Sequence, residues 1–343
     1  MTSAEPATSL GEIVASDADA DAEKRAWVRG RLLAWFASHA RDLPWRRTRN
    51  PYRVLVSEIM LQQTQVDRVI PHYERFLGAF PTVDALAAAP TAEVIRLWSG
   101  LGYNRRAINL QRAAQAVVER HDGTFPCSVE GLLALPGIGP YTAGAVACFA
   151  FERDVAFIDT NMRRVLHRLF IGPEGERTTA SERATLAIAA AIVPPGNGWT
   201  WNQALIEFGA LHCTARRPAC VICPLRDRCA AAPTIQASLA MGTSKSKSTR
   251  SMPFEQTNRY ARGRVVEVLR WATDTGEDEE GIRLRDLGPR VRPTFSDADI
   301  PWLYGVVEGL QRDGLARVVR EDDTAYDHGE AGGDIGNPMV RLP

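Results

Sequence analysis

Apolar side chains recur every three to four positions along most of this chain, the period of helices with one buried face. Val28, Leu32, Trp35 and Phe36 mark one such helix, which should end near His39. Asn50-Pro51 opens the next, with Asn as N-cap and Pro at the first position. On it Val54, Leu55, Glu58 and Leu61 share one face. Further helices are expected at residues 66–76, 83–88, 91–98, 104–120 and 128–135, from Pro140 onward, and at 162–170, 181–193 and 199–211. Near the C-terminus the pattern predicts helices at 262–272, 284–291 and 300–313, then a strand at 315–320: a small, winged-helix-like module.

The polar stretches set provisional boundaries. Residues 1–22 carry few large apolar groups and are expected to be a disordered acidic tail. Residues 23–230 form the main helical domain, and 231–256, rich in Ala, Ser, Thr and Lys, read as a linker. The module spans 257–322, and 323–343 look like a loose tail.

Composition changes little in this picture. The 343 residues are 45% hydrophobic and 24% charged, as in a globular protein. No run of about eighteen apolar residues suggests a membrane span. No basic start with an apolar core suggests a secretory signal, so the cytosol is the expected location. A formal net charge of zero does not exclude nucleic acid, because the acids concentrate near the two ends and leave the middle basic.

Five features carry candidate chemistry. Glu58 lies on an apolar helix face, where a carboxyl withdrawn from water favours its neutral, proton-donating form; the bland alternative is a buried ion pair. Gln62, Gln63, Thr64 and Gln65, which follow, suit hydrogen bonding to base edges. The turn Leu135-Pro136-Gly137-Ile138-Gly139-Pro140 has glycines that permit positive φ and close approach, at a helix start whose free N–H groups can take a DNA phosphate. Asp159, before the helix at 162–170, is by itself most simply an N-cap; the helix dipole there favours an anion. Two carboxyls, one neutral and one ionised, would divide the work of acid and stabiliser. Finally, Cys213, Cys220, Cys223 and Cys229 form C-x6-C-x2-C-x5-C, a metal-site pattern that by spacing suits zinc or an iron–sulfur cluster equally.

In order, SEIMLQQTQV (57–66), GLGY (100–103), LPGIGPYTAGAV (135–146), IDTNMRRVL (158–166) and the cysteine loop resemble the endonuclease III superfamily of DNA glycosylases, and within it the adenine glycosylase (MutY) branch. The resemblance covers roughly residues 24–230. It implies an all-α, two-lobed helix-hairpin-helix fold: a six-helix lobe at about 45–150, and an iron–sulfur lobe of 23–44 plus 151–230. It also implies a monofunctional enzyme acting as a monomer on double-stranded DNA with a mispaired adenine, the base flipped out of the stack. Glu58 matches the general acid, Asp159 the carboxylate that stabilises the sugar cation, and Asn161 a residue that positions water or the aspartate. Tyr141 stands where strand-cutting relatives carry a Schiff-base lysine. Arg41, Trp45, Arg46 and Gln203 match the adenine pocket; Leu61, Gln63, Thr64 and Tyr103 match residues that wedge into the stack and touch the opposite base. Gly137, Ile138 and Gly139 match the phosphate clamp, and the four cysteines the ligands of a structural 4Fe-4S cluster.

The chain departs from the fuller pattern of the branch. Its module at 257–322 is too short and too helical for the larger domain, similar to nucleotide pyrophosphohydrolases, that inspects 8-oxoguanine. Asn104 stands in place of a second Tyr, and Thr160 where Gly is also common. The alternatives are a thymine–guanine mismatch or oxidised-pyrimidine glycosylase on the same scaffold, a non-catalytic damage-binding protein, and a zinc-ribbon regulator.

Overall fold

The computed structural model describes residues 10–174, 181–240, 253–275, 281–319 and 336–343. In chain order the elements begin with α1 (Leu10–His39), α2 (Pro51–Leu61), α3 (Val66–Ala79), α4 (Val83–Ala88), α5 (Thr91–Leu97) and α6 (Arg105–His121). They continue with α7 (Val129–Leu133), α8 (Pro140–Phe151), α9 (Thr160–Phe170), α10 (Glu182–Ile192), α11 (Gly198–Leu211) and α12 (Ala232–Ala240). The C-terminal part holds α13 (Asn258–Thr275), β1 (Ile282–Arg283), α14 (Leu284–Val291), α15 (Ile300–Arg312), β2 (Arg317–Val319) and β3 (Met339–Arg341). No described helix is long and apolar enough to cross a membrane.

Contacts divide the chain into two compact units: Met1–Arg49 with Pro140–Lys247, and Asn50–Gly139 with Ser248–Pro343. In the first, α11 packs on α1, α8 and α9, and α10 packs on α9 and α1. Small residues make these approaches possible. A Cβ at Gly144 of α8 would come within 2.6 Å of the Phe157 side chain, and one at Gly209 of α11 within 2.9 Å of Asn161. This packing draws α8 into the first unit, although the sequence assigns residues up to about 150 to the other lobe.

In the second unit α6 packs against α2, α4 and α5. Its apolar face, with Ile108, Leu110, Ala113 and Val117, is buried against a core that includes Phe76, Leu86 and Trp98. The C-terminal residues do not form a separate core. Val265, Leu269, Leu284, Leu303 and Leu310 join one apolar cluster with Ile95 of α5 and Ile108 of α6. Arg270 of α13, almost fully buried, donates to Asn104 Oδ1 at 2.9 Å. Asn104, the odd residue after Tyr103 in the sequence, is thus where the module docks.

Three boundaries differ from the sequence reading. α1 begins at Leu10, inside the stretch expected to be disordered, as a continuation of the helix that carries Val28, Leu32 and Trp35, and residues 1–9 lie outside the described residues. The supposed linker at 231–256 contains α12, an Ala-containing run with Ala232 buried; residues 241–252 lie outside the described residues. The supposed tail contains β3, which is the middle strand of an antiparallel sheet ordered β1-β3-β2, with Val340 fully buried. Three residues are too few to show a strand period, and β3 exists only because β1 and β2 flank it. Residues 323–335 lie outside the described residues.

Candidate active site and cysteine centre

In the second unit, both ends of α2 are pinned. Asn50 Oδ1 accepts from the Arg53 N–H at 3.1 Å, as the sequence predicts. At the other end Arg106 Nη1 donates to the carbonyls of Ile59, Met60 and Gln62 at 2.8, 3.0 and 2.6 Å. Glu58 lies on this fixed helix and is only 6% exposed. Arg106 Nη2 also reaches Thr64 Oγ1, Leu101 O and Gly102 O, each at 3.2 Å. One guanidinium therefore ties the turn after Glu58 to the Gly100–Tyr103 turn. Burial lowers its pKa to about 10.

These turns present Gln63 and Tyr103 outward, both exposed and both with positive φ (54° and 47°), where a side chain is strained. Leu61 is half-buried, and the Thr64 hydroxyl bonds within the turn to Gln62 O at 3.2 Å. Thr64 therefore braces the loop rather than extending from it. The glycine turn also divides its labour. Gly137 has φ 74° and sits against Asn109, 2.6 Å from where its Cβ would be. Gly139, expected to share that conformation, is not among the positive-φ residues and has nothing within 4 Å of its missing Cβ, which leaves open space. Ile138 is buried.

In the first unit Asp159 is indeed the N-cap of α9, with Oδ1 accepting from the Met162 N–H at 2.6 Å. Its other oxygen accepts from Asn161 Nδ2 at 3.1 Å. Asn161 is in turn held by Arg164, which donates to Asn161 Oδ1 at 2.9 Å, Gly209 O at 2.7 Å and Cys213 O at 2.8 Å. The cap role and a chemical role are therefore compatible: capping fixes the direction of the carboxylate. Tyr141 packs edge-on to Phe157, just before Asp159, with ring centroids 5.4 Å apart.

The loop that carries Arg41, Trp45 and Arg46 folds onto α11. Glu207, fully buried, accepts from Arg41 Nε and Nη2 at 2.8 and 2.7 Å and from Arg46 Nη2 at 3.0 Å. Arg46 Nε donates to Gln203 Oε1 at 2.8 Å. Trp45 is buried, a wall rather than an exposed stacking face. The structure so brings Arg41, Arg46 and Gln203 together around a carboxylate that the sequence reading passed over. The signal was present: Glu207 sits among Leu205 and Phe208 on a buried helix, much as Glu58 does on α2. Arg106 and Arg164, by contrast, carry no sequence signal.

Burial alone would push the Glu207 carboxyl up, but hydrogen bonds from Arg41 and Arg46 outweigh it and hold it at about 2, below an ordinary 4.5. A depressed folded-state pKa adds stability that is present above about pH 4.5 and lost as pH falls toward 2. The shift corresponds to roughly 3 kcal/mol. Urea titrations should show Glu207→Gln less stable than the parent at pH 7, with the gap closing between pH 4.5 and 2. A gap that does not change with pH would contradict the ion-pair assignment.

Cys213, Cys220, Cys223 and Cys229 line one apolar cavity with Val165, Leu169 and Phe208. Ile235 and Ala232 of α12 also line this cavity. Arg168 secures the loop, donating to Thr214 O and Ala215 O at 2.8 and 3.1 Å and to Cys213 Sγ at 3.5 Å. Burial pushes the Cys223 thiol to about 12 and raises Cys220 and Cys229; the proximity of the other thiols adds to each shift. Such thiols become thiolates only with a strongly cationic group among them. Four sulfurs around a shared cavity suit a cluster several atoms across.

Comparison with known proteins agrees. Residues 56–190 match the HhH-GPD superfamily of base excision DNA repair proteins, and residues 213–229 match the iron–sulfur binding domain of endonuclease III. The chain is 44% identical to the adenine DNA glycosylase of Mycolicibacterium smegmatis over 246 residues, which cover 71% of this chain and 80% of that protein. It is 37% identical to the Mycobacterium tuberculosis adenine DNA glycosylase, covering 73% of this chain and 86% of that one. Among solved structures, a thermostable thymine-DNA glycosylase superposes with a TM-score of 0.59 at 31% identity, covering 63% of this chain and 99% of that one.

Proposed function

The chain belongs to the adenine DNA glycosylase family, within the helix-hairpin-helix base excision repair proteins, and from that premise we propose that it releases adenine mispaired with 8-oxoguanine or guanine from duplex DNA. The observation that carries this reading is Glu58, a buried carboxyl on a helix pinned at both ends.

Glu58 gives its proton to adenine N7, which makes the base a neutral leaving group. Departure leaves an oxocarbenium-like sugar. Asp159 stabilises that cation, electrostatically or as a transient covalent adduct, before water adds to C1′, as in a retaining glycosidase. Asn161 orients Asp159 and the water. Arg41, Trp45, Arg46 and Gln203, braced by Glu207, form the adenine pocket. Leu61, Gln63 and Tyr103 enter the stack and face the opposite base, with Thr64 bracing their loop. Gly137, Ile138 and Gly139 take a phosphate through backbone N–H groups. The four cysteines would hold a 4Fe-4S cluster, which would supply a rigid cross-link for the loop around it and take no part in the chemistry. The protein acts as a monomer, in the cytoplasm on the chromosome. The element order α-β-α-α-β-β supports the winged-helix-like reading of the C-terminal module.

Tyr141 cannot form a Schiff base, so the enzyme stops after base removal. Single-turnover assays on duplexes with A:8-oxoguanine, A:guanine, T:guanine and thymine glycol test both claims. Adenine should leave fastest, and strand breaks should appear only after alkali. Breaks without alkali would overturn the monofunctional assignment. Thymine leaving faster than adenine would favour the second reading, a mismatch thymine glycosylase, which the superposition on the thymine-DNA glycosylase keeps in view.

A further inference from the structure

The reaction above makes no use of residues 253–275 and 281–319, yet they complete a cleft. It lies wholly in the second unit and has a volume of about 750 Å³. One wall is formed by Gln62, Gln63 and the turn from Gly100 to Arg106; the other by Phe254, Arg259 and Arg262. Five arginines line it and, among the described residues, no acidic residue does.

These arginines differ in what already holds them. Arg106 is taken up by backbone carbonyls. Arg105 and Arg262 share Asp313, at 3.4 and 2.5 Å. Arg68 and Arg259 have no carboxylate partner among the described residues. Arg259 lies over the Tyr103 ring at 4.2 Å and near the Phe254 ring at 5.8 Å. Both aromatics are well exposed, at 41% and 53%. A guanidinium resting on a ring stays ordered while keeping N–H groups for an anion. Tyr103 and Gln63 both hold positive φ, and both face this cleft. The buried Arg270–Asn104 bond and the shared core fix the second wall relative to the first.

We propose that this cleft binds the DNA strand opposite the excised base, with Arg259 on its phosphodiester backbone and Phe254 and Tyr103 offering faces to its bases. The strand assignment rests on the preceding reading, in which Gln63 and Tyr103 face the opposite base. Unpaired guanidinium groups interleaved with exposed rings match a chain of bases joined by phosphates. An acidic peptide would use the arginines and leave both rings without purpose. On this proposal the small C-terminal module performs the strand contact.

The test is equilibrium binding of the full chain, with its cluster, to a duplex carrying 2′-fluoro-2′-deoxyadenosine opposite guanine. Arg259→Glu should weaken binding about tenfold or more, and Arg259→Ala should lower the slope of log affinity against log salt by about 1. Arg259→Lys should retain most of the affinity. Replacing single phosphodiesters near the mismatch by methylphosphonates identifies the strand. The parent-to-Arg259→Ala difference should vanish for one such position on the strand opposite adenine and persist for positions on the adenine strand. Unchanged affinity and slope would overturn the proposal, as would a difference that vanishes only on the adenine strand or binding of an acidic peptide in place of DNA. If Arg259→Glu lowers the melting temperature, Phe254→Ala takes its place and should weaken binding without changing the salt slope. Binding to this duplex does not depend on excision, so a chain that binds as expected but releases thymine would refute the proposed substrate and leave this inference standing.

Discussion

Glu58→Gln should slow adenine release by about 10² to 10⁴-fold while leaving DNA affinity and melting temperature close to those of the parent. Glutamine has the shape of the acid and fits the same buried place on α2, whose ends are fixed by Asn50 and Arg106. What it lacks is an acidic proton. Without protonation adenine must leave as an anion, so the loss should fall on the chemical step. Single-turnover rates at saturating enzyme, with binding measured in parallel, separate the two. A variant that retains a near-normal rate would remove Glu58 from the role of general acid.

Asp159→Asn should cost about 10² to 10³-fold in the same assay, the scale for losing one preorganised electrostatic partner of a transition state. The substitution is structurally mild. Asparagine caps a helix as well as aspartate does, so the bond from the Met162 N–H should survive. Asn161 would lose its bond to the second oxygen of residue 159, where the variant carries an amide nitrogen, but Arg164 would still hold Asn161. What is gone is the negative charge and the acceptor that faced Asn161. Asp159→Ala removes the cap as well and should add roughly 1 kcal/mol of destabilisation. If Asp159→Asn excises adenine normally while Asp159→Ala unfolds, the residue is only a cap, which was its simplest meaning in the sequence.

The helices around the site were legible because their signals are local. Asn50-Pro51, Ser128 and Asp159 announce helix starts by their own side chains, and each makes the predicted cap. The periodicity of α2 put Glu58 on a buried face before any neighbour was known. The cysteine spacing confined a cluster to one loop, although zinc and iron–sulfur remained equal on spacing alone. Where the reading failed, the missing information was a partner. β3 is three residues with no pattern until β1 and β2 enclose it. α12 looked like a linker because its use is to line a cavity built by other segments. Asn104 was an unexplained departure until Arg270, more than a hundred residues later, met it.

By itself, then, the sequence determined the helical scaffold, the two carboxyls, the four thiols and the absence of a lysine at position 141. These depend on residue type and on spacing within one or two turns, which a linear chain displays directly. The tertiary structure alone decided that Arg106 locks two distant turns together, that Glu207 holds Arg41 and Arg46, and that the C-terminal module shares a core with α5 and α6 to form an arginine-lined cleft. The physical reason is common to all three. A guanidinium or a buried carboxylate is defined by the groups that satisfy it, and those groups come together only when the chain closes on itself.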